Sequence, residues 1–420
     1  MIPAWHDTAT AVLSAKARRG SDYITGFMNE ASAAVSIFKT VICKRSSRLN
    51  PWVAACDSYA GTVNMVNEDV SVKLMPAPRI EVDRMRTDVS NARTTVIHAA
   101  RAGLNGRSIF HEPWWLDIAT GGNWKLASVH DRGQLVAEMP YTVTRKGIWR
   151  LSTLPPLTRT LGPVIPAAKG TGDDDWRHCF GATQALVEQL PECALFHQRF
   201  DPYVSDAMGF ALLGFEVAVS YTMRIEPGRA EPDVWAGLRP NTRNLVRRAG
   251  EQHTVRQITD ANLFVSFYDA NLTRRNRDNV YGTHVMKQLV DAFISRGSGM
   301  VLGAYQADGS LCSAIAVIWD QHTMYYLLSS RKEDAHGGVI GLLLWNAMRN
   351  ARERSLTFDF DGISNVGILK FLSGFGGTLV PRLEVERASA DYAAMRSILH
   401  LGRCVSRSVR QRVRRQERGE

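Results

Sequence analysis

No run of about 18 apolar residues occurs in the chain, so no membrane-spanning helix is expected. The first residues lack a basic start followed by an apolar core, because Asp7, Lys16, Arg18 and Arg19 interrupt them, and they do not read as a secretory signal. Cysteine is sparse. Cys43, Cys56, Cys179, Cys193, Cys312 and Cys404 form no CxxC pair and no zinc-ligand spacing, so they read as reduced thiols of a cytoplasmic protein. Cys312 stands in an alternating strand pattern and is expected to pack as a small hydrophobe. The histidines fall at no metal-binding interval, and His111-Glu112 is not part of an HExxH. GxSxG and the Gly-rich kinase and dinucleotide fingerprints are missing as well. These absences set aside metal and serine hydrolysis, and no metal is expected.

What is present is the composition of a globular protein, 45% hydrophobic and 22% charged, in a 420-residue chain long enough for two or three domains. The net charge of +10 is uneven. Residues 403–420 carry seven arginines against Glu417 and Glu420, half of the total excess, so the charge is weak evidence that the whole body binds a polyanion. Ile398, Leu401, Val405, Val409 and Val413 recur at helical steps among these arginines. Such a helix can lie on an anionic membrane or pack its stripe on the body. The narrow stripe, without Trp or Phe, favours packing.

Residues 1–106 show no sustained period, apart from short helices expected at 8–19 and 29–42 and a break at Met75-Pro76-Ala77-Pro78-Arg79. They read as an N-terminal extension of unknown role. An accessory segment, a poorly ordered extension and an upstream start remain open. From residue 107 the pattern sharpens. Strands are expected at 124–130 and 134–143 around the turn Asp131-Arg132-Gly133, then a Pro- and Gly-rich loop at 154–172, a helix at 176–190 and strands at 193–199 and 215–225. After a linker at 227–232 the second half predicts helices near 235–249, 260–273 and 283–296. Strands follow at 299–306, 310–319 and 323–330, then a helix at 339–354 and an apolar strand at 356–360. The segment starting at Leu126 matches that starting at Leu302, each reading strand, Asp-containing turn, strand, which points to two copies of one mixed unit.

Four segments carry a family likeness: Trp235 to Ala249 with Thr242-Arg243, Gly338-Val-Ile-Gly341 with Trp345, Phe358-Asp359-Phe360-Asp361-Gly362, and Phe371-Leu-Ser-Gly374-Phe375-Gly376-Gly377. In order and spacing they resemble the GNAT superfamily, in particular its Fem-type branch with the cellulose- and exopolysaccharide-associated acyltransferases. The resemblance covers residues 107–388. It implies an α/β (mixed α+β) fold of tandem GNAT-like domains, each a mixed twisted sheet flanked by helices. The divisions are 1–106, a first domain at 107–230, a second at 231–390 holding the donor, and a basic tail at 391–420. It further implies transfer of an acyl group to an amine without a covalent enzyme intermediate, in a sheet splayed open for the donor. Acyl-CoA as co-substrate, with an amine on a small-molecule or lipid-linked sugar or cell-envelope precursor, is the first expectation. An aminoacyl-tRNA donor is the second, disfavoured because Leu372 stands where Fem-type enzymes usually carry Lys. A non-catalytic polyanion or membrane binder on the same fold is the third.

Amine acylation requires a grip on the donor's phosphates, a neutral amine and a donor to the oxyanion. Arg331, His336, Gly337, Gly338 and Gly341 fit a glycine-containing turn opening a helix, whose free N–H groups attract anions. The same glycines equally suit close packing. Asp359 and Asp361 alternate on one strand, opposite Phe358 and Phe360, and can hold an acceptor amine or take its proton. A helix cap, a solvated carboxylate or an Asp-Gly turn are their ordinary alternatives. Arg243 and Arg247, one helical turn apart and beside Arg248, can grip acceptor phosphates or form a solvated basic face. Tyr281 offers a hydroxyl near the site or a packed loop tyrosine.

Overall fold

The computed structural model describes residues 107–166 and 172–400. The expectations for residues 1–106 and for the tail beyond 400 lie outside them. After a helical turn at Ile109–His111 come α1 (Pro113–Thr120), β1 (Trp124–Asp131), β2 (Gln134–Thr142), β3 (Thr144–Lys146), β4 (Trp149–Ser152), α2 (Gly172–Val187), β5 (Leu195–Arg199), α3 (Met208–Leu212) and β6 (Glu216–Ile225). The second half runs α4 (Glu231–Gly237), α5 (Pro240–Gln252), β7 (Thr254–Ile258), α6 (Ala261–Arg274), α7 (Thr283–Ser295), β8 (Gly299–Tyr305), β9 (Leu311–Trp319) and β10 (Thr323–Arg331). It closes with α8 (Val339–Glu353), β11 (Thr357–Gly362), α9 (Val366–Leu372) and β12 (Thr378–Ala388). Another helix begins at 390.

Local chemistry explains several boundaries. Arg132 (φ 49°) and Gly133 (φ 81°) both take the left-handed conformation that a two-residue hairpin turn between β1 and β2 requires. The helix expected near 235–249 is broken at the extended residues Leu238 and Arg239, just before Pro240. Pro240 opens α5, where a missing N–H costs no hydrogen bond. The Asp260 carboxylate accepts from the Asn262 N–H at 2.8 Å and caps α6.

The sheet is shared by both halves. β1 and β2 pair as a separate hairpin, and the other ten strands run in the order β3-β4-β5-β12-β6-β11-β10-β9-β8-β7. Each half repeats a hairpin, a strand, a helix and a strand that returns parallel to the earlier one, β4 with β5 and β10 with β11. The last strand of each half crosses to the other: β6 pairs with β11 and β12 with β5, and β6 and β12 pair antiparallel between them. This reciprocal exchange completes each half with a strand of its partner.

Alternate side chains of the central strands feed opposite cores. Met300, Leu302, Ile315, Val317, Met324, Phe358 and Phe360 pack under α8, and Cys312 joins them fully buried, as its strand pattern indicated. Val301, Ala314, Ala316, Ile318, Tyr325 and Leu327 pack under α6 and α7. A third core, with Phe196, Phe200, Phe210 and Phe215, lies between the first half's strands and helices α2 and α3. Burial on both faces is why β8 to β11 read as nearly continuous apolar runs.

Candidate active site

β10 and β11 are hydrogen-bonded neighbours over three residue pairs only, Thr323↔Thr357 to Tyr325↔Asp359. Beyond them β10 bulges between Tyr326 and Leu328 and continues on β9 alone, while β11 follows β6. The sheet therefore opens, and β10 is left with an unpaired edge. Beside that edge lies a cleft of about 370 Å³ lined by Tyr268, Asn271, Leu272, Arg275, Ser329, Ser330, Arg331 and Glu333, with Ile340 from the first turn of α8. Asn271, nearly buried, donates to Ser330 Oγ at 3.0 Å and holds α6 against β10.

The point where the strands part is fixed by a buried polar cluster. Asp359, 1% exposed, lies 2.7 Å from the Arg224 Nε and accepts from the Thr222 hydroxyl. Arg224 also faces Asp201 at 3.7 Å, and the Tyr325 hydroxyl donates to Asp320 at 3.0 Å and lies 3.3 Å from Asp201. Burial pushes the Asp201 carboxyl up, with Arg224 opposing. Asp359 also accepts from the Asp361 N–H at 2.8 Å, and Asp361 takes a left-handed backbone (φ 61°), which Asp tolerates better than most residues.

Asp361 consequently faces the opening in a second, separate cluster. Arg159, from the loop between β4 and α2, places Nε 2.8 Å from Asp361 Oδ2 and donates through Nη2 to the Leu327 carbonyl of β10. Its guanidinium thus spans the gap between β10 and β11. Arg382 of β12 lies 3.2 Å from the other Asp361 oxygen. Burial opposes the Asp361 carboxylate, but Arg159 and Arg382 outweigh it and hold its carboxyl below the usual range. The Tyr281 hydroxyl is hydrogen-bonded to Arg159, and Tyr268 is close to both. Burial pushes the neighbouring Tyr326 phenol up to about 12.

The sequence-derived candidates divide accordingly. Asp361 and Tyr281 meet at Arg159. Asp359, two residues before Asp361 on β11, is sealed in the cluster below, so the two carboxylates hold different cations. Arg331 lines the cleft and donates to the Ala335 carbonyl at 2.9 Å. The His336 ring Nδ1 accepts from the Gly338 N–H at 3.1 Å, which occupies one amide of the turn. Gly337 borders open space, whereas a Cβ on Gly338 would strike the Leu245 carbonyl of α5 and one on Gly341 would press on Val246. Both glycines let α8 pack closely on α5. Gly338→Ala is expected to lose about 1–3 kcal/mol, read as a lower denaturant midpoint, from overpacking. Arg243 and Arg247 bond locally, Arg243 to the Ala236 carbonyl at 2.7 Å and Arg247 to Asn244 at 3.3 Å.

Arg159, Tyr268 and Arg382 were not singled out from the sequence. One signal was available. Arg159 is the single charged residue between Arg150 and Lys169, in a loop otherwise built of apolar, Pro, Gly, Ser and Thr residues. Among the described residues no group of His, Cys, Asp or Glu is placed to hold a metal ion, and no helix is long and apolar enough to cross a membrane.

Residues 236–365 match the family model described as Acetyltransferase (GNAT) domain, a span that contains α5, the cleft and the β10–β11 opening. No curated protein matches the chain. Among solved structures, FemX is similar at TM-score 0.53 and 12% identity, covering 69% of this chain and 95% of its own. L-PGS from Bacillus licheniformis superposes at TM-score 0.45 with 10% identity, over 71% and 93% of the two chains. The tandem GNAT protein from the clavulanic acid biosynthesis pathway does so at 0.43 with 11% identity, over 72% and 95%. At such identities the likeness is one of fold. The matched span and the opened mixed sheet together show a GNAT acetyltransferase domain at residues 236–365, the fold of an acyltransferase.

Proposed function

We propose that this enzyme transfers an acyl group from an acyl-CoA thioester to an amine of a sugar or cell-envelope or exopolysaccharide precursor, at the β10–β11 opening. The observation that carries the reading is the unpaired β10 edge beside a cleft that reaches the start of α8. An extended amide chain such as pantetheine can pair with a free strand edge as an added strand does. Arg331, Arg275 and the α8 N-terminus line the phosphate end of the path.

In this reading the amine nitrogen attacks the thioester carbonyl, the carbonyl oxygen takes the charge, and collapse breaks the C–S bond. Tyr281 gives the departing thiolate its proton, and the surplus proton of the acylated nitrogen passes to solvent water, from which the phenol is restored. Asp361, doubly paired with guanidinium groups, is a weak base, and its part is to hold Arg159 in the opening. An aminoacyl-tRNA donor fits less well. Leu372 is buried in the core and Lys370 is exposed on α9, so neither offers the ammonium of the Fem-type motif at that position. The proposed setting is cytoplasmic. Ile398, first of the tail's apolar stripe, is 64% exposed, which suits contact with an anionic membrane better than packing on the body.

The test is calorimetric titration of acetyl-CoA and longer acyl-CoAs into the full chain, with thiol release on adding amines. Saturable binding is expected, weakened at least tenfold by Ser329→Trp, an exposed position on the cleft wall. A folded protein that binds no acyl-CoA sinks the thioester reading and moves the donor to aminoacyl-tRNA.

A further inference from the structure

At the opening two guanidinium groups share one carboxylate, and their remaining donors are not all met. Arg159 and Arg382 face the single carboxylate of Asp361, and Arg159 also meets the Leu327 carbonyl and the phenols of Tyr281, Tyr268 and Tyr326. The Arg382 side chain is only 2% exposed, yet its Nε and Nη2 have no hydrogen-bond partner, and Arg159 Nε lacks a well-directed one. Buried guanidinium donors without acceptors are costly, and a buried charge without its opposite more so. Arg159, by contrast, keeps about a fifth of its side chain accessible (19%) and touches both walls of the opening.

We propose that Arg159, backed by Arg382, is the specificity-determining residue for an acceptor that carries an anionic group, carboxylate or phosphate, close to its amine. The division of labour between the halves points to the acceptor and not the donor. Every wall of the donor cleft belongs to the second half, whereas Arg159 comes from the first half and Arg382 from the strand exchanged into it. A carboxylate or phosphate oxygen pair matches the planar fork of a guanidinium. It would take up the guanidinium donors left without acceptors and set the amine at the part of β10 where the acyl carbonyl arrives. The assignment deepens the acyl-transfer reading, but the binding it predicts does not depend on turnover.

The experiment uses the full chain and four probes: glycine, O-phosphoethanolamine, and methylamine and ethanolamine, their counterparts without the anionic group. Calorimetry without donor measures binding, and thiol release from acetyl-CoA measures turnover. At least one amine bearing the anionic group is expected to bind at least tenfold more tightly than its counterpart without it. Arg159→Met should abolish the difference, Arg159→Lys should keep part of it, and affinity for acetyl-CoA should stay within about twofold. Preference for O-phosphoethanolamine over glycine would identify the anion as phosphate, and the reverse as carboxylate. If Arg159→Met fails to fold, Tyr281→Phe, which removes one hydroxyl from Arg159, should still weaken anionic-amine binding severalfold. Equal binding of amines with and without the anionic group, no binding of any, or a preference that survives both Arg159→Met and Tyr281→Phe, overturns the inference. Anionic-amine binding without thiol release would leave the site in place and remove the acyl-CoA reaction instead.

Discussion

Arg224→Met is expected to lower folding stability by about 3–5 kcal/mol, because it strands buried carboxylates whose cation is gone. Asp359 and Arg224 are both nearly inaccessible, and the pair at 2.7 Å joins β11 of the second half to β6 of the first. Its position is what matters for function, since Asp359 belongs to the last residue pair before β10 and β11 separate. Denaturant unfolding of Arg224→Met, Asp359→Leu and the double variant measures the effect. The double variant should recover a large part of the loss, as apolar replacement of a whole buried pair commonly does. A single-variant loss under about 1 kcal/mol would show that the cluster is not the hinge of the opening.

Acid should loosen the loop that carries Arg159, through His111. This ring is buried in the turn before α1. Its Nδ1 accepts from the Ser108 N–H at 3.2 Å, and its Nε2 lies 3.2 Å from the Gly162 carbonyl, three residues after Arg159. Burial drives its pKa down from 6.5 to about 4, against the hydrogen bond to Gly162. The folded state therefore prefers the neutral ring. Between about pH 6.5 and 4 the unfolded chain takes up a proton that the folded chain refuses, so stability falls as pH falls through that window. The span corresponds to about 3 kcal/mol at most. His111→Gln removes the titration. The stability gap between wild type and variant at pH 7 should shrink by about that amount at pH 4. An unchanged gap, or a ring that titrates by NMR near pH 6.5, would refute the mechanism.

Much of the fold was legible from residue patterns. The expected strands at 299–306, 310–319 and 323–330 and the helix at 339–354 coincide with β8, β9, β10 and α8 to within a residue or so at each end. Their signals are local, because double-sided burial makes apolar runs and helical faces repeat every three or four residues. β7 and β12 were not read as strands. β12 carries Pro381, Arg382, Glu384, Glu386 and Arg387, which look like loop or surface in isolation. Its partners are β6 and β5, more than 150 residues earlier, and only they make it a central strand. Pro381 is accommodated because pairing with β5 starts only at Glu384.

The candidate site shows the same division. Alternation along β11 placed Asp359 and Asp361 opposite Phe358 and Phe360, whose rings pack 4.9 Å apart in the core under α8. It did not show that a left-handed residue and a strand bulge separate the two carboxylates into different ion pairs, for backbone irregularity leaves no periodic trace. The glycines before and in α8 read alike in sequence, but the nearness of Leu245 and Val246 makes Gly338 and Gly341 packing residues, while Gly337 stays open.

By itself, then, the sequence determined the mixed α/β class, the repeated unit and the motifs of a GNAT acyltransferase, because these rest on local hydrophobic spacing and on short segments in a set order. Only the tertiary structure decided that the halves exchange their last strands, and that Arg159 of one half stands in the opening of the other. Those facts depend on hydrogen bonds and ion pairs between residues up to two hundred positions apart, whose energy exists only after the chain has folded.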